Sequence, residues 1–161
     1  MEIQKQKIPM ETLSELIRFQ LENGGRANLV VTGNSMYPML RSGIDTVELV
    51  PIKERQKKGD IILYRRDNGR YILYRIVGLT NDGYICCGDN QAEKEPVRHD
   101  QLLAVVDSFA RRGKAYTLTH VCYRLYAAFW TGTFPVRRYV LAVVRWLFFL
   151  RQKIRRWRRH G

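Results

Sequence analysis

The sequence has no acidic residue beyond Asp107. Residues 111–161 hold 13 Lys and Arg, whereas residues 1–110 hold 15 basic and 15 acidic side chains and are neutral. The formal charge of +13 thus belongs to the C-terminal third. A neutral body with a basic tail is not the profile of a uniformly basic nucleic-acid binder. Cysteine is also scarce. Cys86, Cys87 and Cys122 are odd in number, two are adjacent, and none has the spacing of a C-x-x-C or Cys/His metal site. The expectation is reduced thiols in a cytosolic compartment, with no metal and no cofactor. Long apolar runs are missing as well. None follows Met1–Lys7, so neither a cleaved secretory signal nor a leading membrane span is expected. Tyr139–Val144, the longest run within the apolar stretch Val136–Leu150, falls far short of the ~20 residues a span requires.

What is present is a helix followed by strands. Leu13, Leu16, Ile17 and Leu21 recur at helical spacing over residues 10–23, Thr12 and Glu15 match a capping box, and Gly24-Gly25 is a stop signal. Apolar and β-branched runs follow at Asn28–Thr32, Asp45–Val50, Asp60–Arg66, Arg70–Gly78, Tyr84–Cys87 and Leu102–Ala110, with Lys114–Thr119 placed to pair with the last. Asp67-Asn68-Gly69 and Asn81-Asp82-Gly83 read as turns, the first as a hairpin. The fold class expected is mainly β, an antiparallel barrel or sandwich-like body. The chain divides into a lead-in with a helix (1–27), a β domain (28–118) and a basic, aromatic-rich tail (119–161).

Val31–Leu40 breaks the strand pattern. Ser35 follows a glycine turn and precedes Pro38, which blocks strand continuation. Such a turn presents a hydroxyl beside free backbone N–H groups, the parts of a serine nucleophile and an oxyanion hole.

Gly33-Asn34-Ser35-Met36-Tyr37-Pro38-Met39-Leu40 resembles the serine box of signal peptidase I. Three more segments resemble that family's boxes in the same order: Lys58–Tyr64, Tyr74–Gly78 and Cys87-Gly88-Asp89-Asn90. The resemblance covers residues 28–110 and extends to the self-cleaving SOS repressors, which share a β-rich catalytic fold. It implies a serine endopeptidase in which Ser35 attacks a peptide carbonyl. The Ser35 N–H and a donor near Gly33 would form the oxyanion hole, with Asn34, Met36 and Pro38 shaping the turn and groove. Gly88, Asp89 and Asn90 would brace the site, and Asp100 is the candidate to support the base.

The family's general base, a Lys or His, falls at a position that here reads Tyr74. A phenol of pKa about 10 is ~0.1% ionised at pH 7, and bringing it near 7 requires about 4 kcal/mol of differential stabilisation. Arg75 cannot supply that, because successive strand residues face opposite ways. Three readings follow: a pseudopeptidase that keeps a peptide groove, a base supplied by His99 (or by Lys94 or His120), or a working phenol at Tyr74.

The tail mixes Tyr123, Tyr126, Phe129, Trp130, Tyr139, Trp146, Phe148 and Phe149 with nine Lys and Arg between Arg137 and Arg159. This composition suits an amphipathic helical extension on anionic lipid, peripheral on the cytoplasmic face of the inner membrane. A helix docked on the body with a solvated basic face is the alternative. The expected partners are a peptide or protein substrate and an acidic membrane surface; nucleic acid ranks below both.

Overall fold

The computed structural model describes residues 10–133 together with Val136, Tyr139, Ala142, Val143, Trp146 and Leu147. Helix α1 spans Met10–Glu22. It ends where the glycines predict: Gly24 is left-handed (φ 71°), and the Gly25 N–H donates to Gln20 O at 2.9 Å. Ser14, Ile17 and Leu21 form its buried stripe. Leu16, expected on the same face, is exposed, because it lies one residue off that i, i+3, i+7 spacing.

Eight strands follow, all paired antiparallel. They are β1 (Ala27–Val30), β2 (Thr46–Val50), β3 (Ile61–Arg65), β4 (Tyr71–Leu79), β5 (Gly83–Cys87), β6 (Glu95–Arg98), β7 (Leu102–Arg111) and β8 (Lys114–Thr117). The sheet runs β1-β2-β7-β3-β4-β5-β6, with β8 on β7. This is one continuous sheet with β1 and β6 at its ends, so the mainly β expectation holds. β7 joins its parts: the strand pairs with β3 over Leu102–Val105, with β2 over Val105–Ala110 and with β8 over Ser108–Arg111. Asp67-Asn68-Gly69 forms the hairpin expected of it. Gly69 takes φ 81°, and the Arg66 N–H donates to Arg70 O at 2.9 Å. β6 was not foreseen. Pro96 and two charged residues hide its pattern, Val97 is its one buried residue, and its place at the sheet edge tolerates the proline.

The core is built by the inward residues of these strands. Val47, Leu49, Ile61, Ile62, Leu63, Ile76 and Ala104 are all buried. A second group is polar. Arg75 on β4 and Asp89 in the loop after β5 are both fully buried and form a two-pronged pair, Nε–Oδ1 2.8 Å and Nη2–Oδ2 2.7 Å. Burial disfavours the Arg75 charge, but the Asp89 carboxylate outweighs it and holds the guanidinium above its ordinary range. Arg75 Nη1 donates to Gly59 O (2.9 Å) and to the Tyr123 hydroxyl (2.7 Å).

Tyr123 belongs to helix α2, Val121–Gly132. The sequence places this helix in the tail, yet one face of it lies on the body. Tyr123, Ala127 and Trp130 are buried at i, i+4 and i+7. The Tyr126 hydroxyl donates to Asp89 Oδ2 (3.1 Å), and Trp130 Nε1 donates to Asp89 O (3.0 Å). Tyr123 and Tyr126 each set a ring 5.5 Å from the Arg75 guanidinium. The segment 119–132 is therefore not a free tail.

Removing one member of a buried ion pair leaves the other charge unpaired and costs about 3–5 kcal/mol. Asp89→Ala should show that loss in urea unfolding, and Arg75→Met with Asp89→Leu should cost less than Asp89→Ala alone. A loss of under about 1 kcal/mol for Asp89→Ala would contradict the pair's place as the polar core.

Candidate functional site

Ser35 sits in the long turn between β1 and β2. That turn is closed at its base: the Val31 N–H donates to Asp45 O (3.0 Å), the Gly43 N–H to Val31 O (2.8 Å). Buried Asp45 accepts from the Arg41 N–H, Nε and Nη2. Met36, Met39 and Leu40 point into the core and pin the far side. Ser35 is thereby held half-buried.

The Gly88–Asn90 loop backs the turn. The Asn90 N–H donates to Ser35 O at 2.7 Å, and Asn90 Nδ2 donates to Asn34 O at 3.2 Å. A Cβ on Gly88 would stand 2.7 Å from Ser35 O and 3.2 Å from Ser35 Cβ. Glycine is needed at 88 because the two segments approach that closely. Asp89, between them, carries the Arg75 pair. The Gly-Asp-Asn segment thus links the serine turn to the buried pair and to α2.

A cleft of about 540 Å³ opens in front of Ser35. Ser35 and Tyr74 both line it, with Gly33, Asn34, Met36 and the β4 residues Tyr71–Leu73. The serine box and the strand of the base position therefore meet at one site. The Tyr74 hydroxyl donates to Gln91 Oε1. Among the described residues the Ser35 hydroxyl and N–H make no hydrogen bond. Burial raises the Tyr74 pKa above the usual phenol value, and the Arg66 charge, 5.9 Å from the ring, offsets only part of this. Tyr74 is a neutral donor at physiological pH. Arg75 faces away from it, as strand alternation requires.

The other expected residues divide. Gly33 lines the cleft, but its N–H donates to Ser42 Oγ (3.0 Å) and is not free for an oxyanion. Pro38 borders a different cavity, of about 420 Å³, shared with α2, and does not form the groove floor. His99 is exposed and packs edge-on against Tyr84, with ring centroids 4.9 Å apart, beside a third cavity. Asp100 pairs with Arg98 (3.0 Å) and is not brought to the base position. His120 caps α2, its Nδ1 accepting the Cys122 N–H at 3.3 Å. Lys94 does not line the cleft.

Sequence reasoning missed Arg66, Arg70 and Gln91, all of which line the cleft. Arg66 binds Glu95 through two donors, one of them Nε–Oε1 at 2.9 Å, and Glu95 also accepts from the Tyr64 hydroxyl. Burial disfavours the Glu95 charge, but these partners outweigh it and hold the carboxyl below its ordinary range. Gln91 was readable as the residue after Gly-Asp-Asn, and Arg66 and Arg70 as the residues flanking the hairpin turn.

The cleft thus offers a serine hydroxyl, an unengaged Ser35 N–H and a neutral phenol. No Lys, His, Asp or Glu lines it among the described residues. No protein-family model matches this sequence, and no curated protein matches it.

Proposed function

We propose that this chain is a peptide-binding protein of the signal peptidase I-like type, which keeps the nucleophile position at Ser35 but lacks the general base. The observation that carries this reading is the lining of the cleft. Ser35 faces it together with Tyr74, and no side chain able to accept a proton near pH 7 lines it among the described residues. Loss of a positioned base costs ~10²–10⁴ in rate. Efficient hydrolysis by Ser35, the rival reading, would need a base from elsewhere.

The strands favour an extended ligand. Tyr71–Tyr74 pair with β3, while β5 pairs only from Arg75 onward. One edge of this stretch is therefore open beside the cleft among the described residues. A peptide added there gains main-chain hydrogen bonds from β4, as strand addition does elsewhere.

An alkyl fluorophosphonate should label the wild-type protein slowly or not at all between pH 6 and 10. Tyr74→His or Tyr74→Lys should accelerate labelling by about 10²-fold or more, and Ser35→Ala in those backgrounds should abolish it. Rapid wild-type labelling that disappears in Ser35→Ala would overturn the reading.

The same proposal places the protein on an anionic membrane surface, preferentially the cytoplasmic face. Opposite its docked face, α2 exposes Val121, Leu125 and Phe129 at i, i+4 and i+8, each more than 60% accessible. Val136, Tyr139, Val143, Trp146 and Leu147 are exposed too. Apolar side chains without acids, beside a chain rich in Arg, suit lipid headgroups. No helix of the described residues is long and apolar enough to cross a membrane. The polybasic end, residues 151–161, lies outside the described residues. Val121→Ser, Leu125→Gln and Phe129→Gln together should weaken binding to phosphatidylserine vesicles by about tenfold or more while the circular dichroism spectrum is retained. Unchanged binding would defeat this role for α2.

A further inference from the structure

The hairpin end of the cleft carries an imbalance of charge. The Arg66 N–H donates to Arg70 O, so the two arginines are cross-strand partners flanking the Asp67–Gly69 turn. β3 and β4 pair Ile62 with Tyr74 and Tyr64 with Ile72. Continuing that alternation puts Arg66 and Arg70 on the face of Tyr74. Like charges directly opposite one another destabilise a strand pair unless an anion lies between or beside them.

Of these two arginines, Glu95 pairs only with Arg66. Among the described residues no carboxylate pairs with Arg70, and no acid lines the cleft. Asp67, within the turn, is turned to Arg98 (3.0 Å). The cleft therefore has two guanidinium groups at its hairpin end, of which only Arg66 has a carboxylate partner among the described residues.

We infer that the cleft selects extended peptides carrying a carboxylate, which Arg70 receives beside the Arg66–Glu95 pair. This inference rests on the peptide-binding reading and adds the ligand class. Arg70, the residue before β4, lies four residues from Tyr74, about 13 Å of extended chain. The carboxylate thus stands about four residues along an added strand from the residue beside Tyr74. A Lys or Arg there meets like charge, and an uncharged side chain leaves Arg70 unpaired. An Asp or Glu side chain and a peptide's C-terminal carboxylate offer the same chemistry.

The test is affinity selection on the immobilised full chain, using random ten-residue peptides blocked at both ends, with retained sequences read by mass spectrometry. Wild type should enrich Asp or Glu about fivefold or more at one position. Arg70→Gln should reduce that enrichment below about twofold. Arg65→Gln, on the opposite face of β3, should leave it intact. A parallel library with free C-termini separates the two sources, since retention confined to it and lost in Arg70→Gln identifies a terminal carboxylate. Acid enrichment that survives Arg70→Gln would assign it to the basic tail and overturn the inference. Equal retention from both libraries with no preference for acidic residues would overturn the inference but leave the peptide-binding reading standing. Retention of no peptide would overturn both.

Discussion

The buried Arg75–Asp89 pair is the constraint from which the rest of the structure follows. Two charges with no solvent exposure are costly to desolvate, and only a nearly complete set of partners makes them tolerable. Gly59, Tyr123, Tyr126 and Trp130 provide that set, together with Met39, whose sulfur stands 3.0 Å from Arg75 Nη2. These partners come from the β2–β3 connection, the serine turn and α2. One interaction therefore fastens five parts of the chain: β4, the loop after β5, the β2–β3 connection, the serine turn and α2.

Its consequence at the cleft is positional. Asp89 is held from behind, so its neighbours Gly88 and Asn90 are held against Ser35, and Gln91 is set to accept from Tyr74. The arrangement presents Ser35 with care but gives it nothing to take its proton. On the function proposed above, a site that retains its shape with a buried phenol at the expected base position is better suited to holding a peptide than to cutting one. The same pair also fixes the orientation of α2, whose outward face is apolar. Whatever that face meets is therefore mechanically close to the serine turn.

Much of this was legible in the sequence because it follows short-range rules. The glycine stop after α1, the Asp-Asn-Gly hairpin and the alternation in Thr46–Val50 rest on local propensity, and all appear in the structure. The meeting of Ser35 with Tyr74 was expected through a resemblance between ordered segments. The opposite facing of Tyr74 and Arg75 needed only strand geometry. The failures have a common physical cause, which is that long-range partners reassign side chains. Tyr123, Tyr126 and Trp130 have the composition of a membrane face, but each has a polar atom, and buried Arg75 and Asp89 claim those atoms. Asp100 and His99 follow the last box in sequence, yet β6 and the short 3-10 turn at His99–Gln101 carry them to the Arg98 and Tyr84 side. Pro38 shares the serine's turn but faces α2.

The central claim of the proposed reading is that Tyr74, where the resemblance to signal peptidase I expects a general base, is a neutral phenol. The direct measurement is the alkaline ultraviolet difference titration of the folded protein, comparing wild type with Tyr74→Phe. Burial penalises the phenolate, so the pKa is raised and the group stays protonated as pH climbs. The two proteins should give the same phenolate absorbance near pH 7, and the extra phenolate of wild type should reach half its full amplitude only above pH 10. A phenolate signal in wild type that is absent from Tyr74→Phe and develops near pH 7 would make Tyr74 a working base and contradict the account.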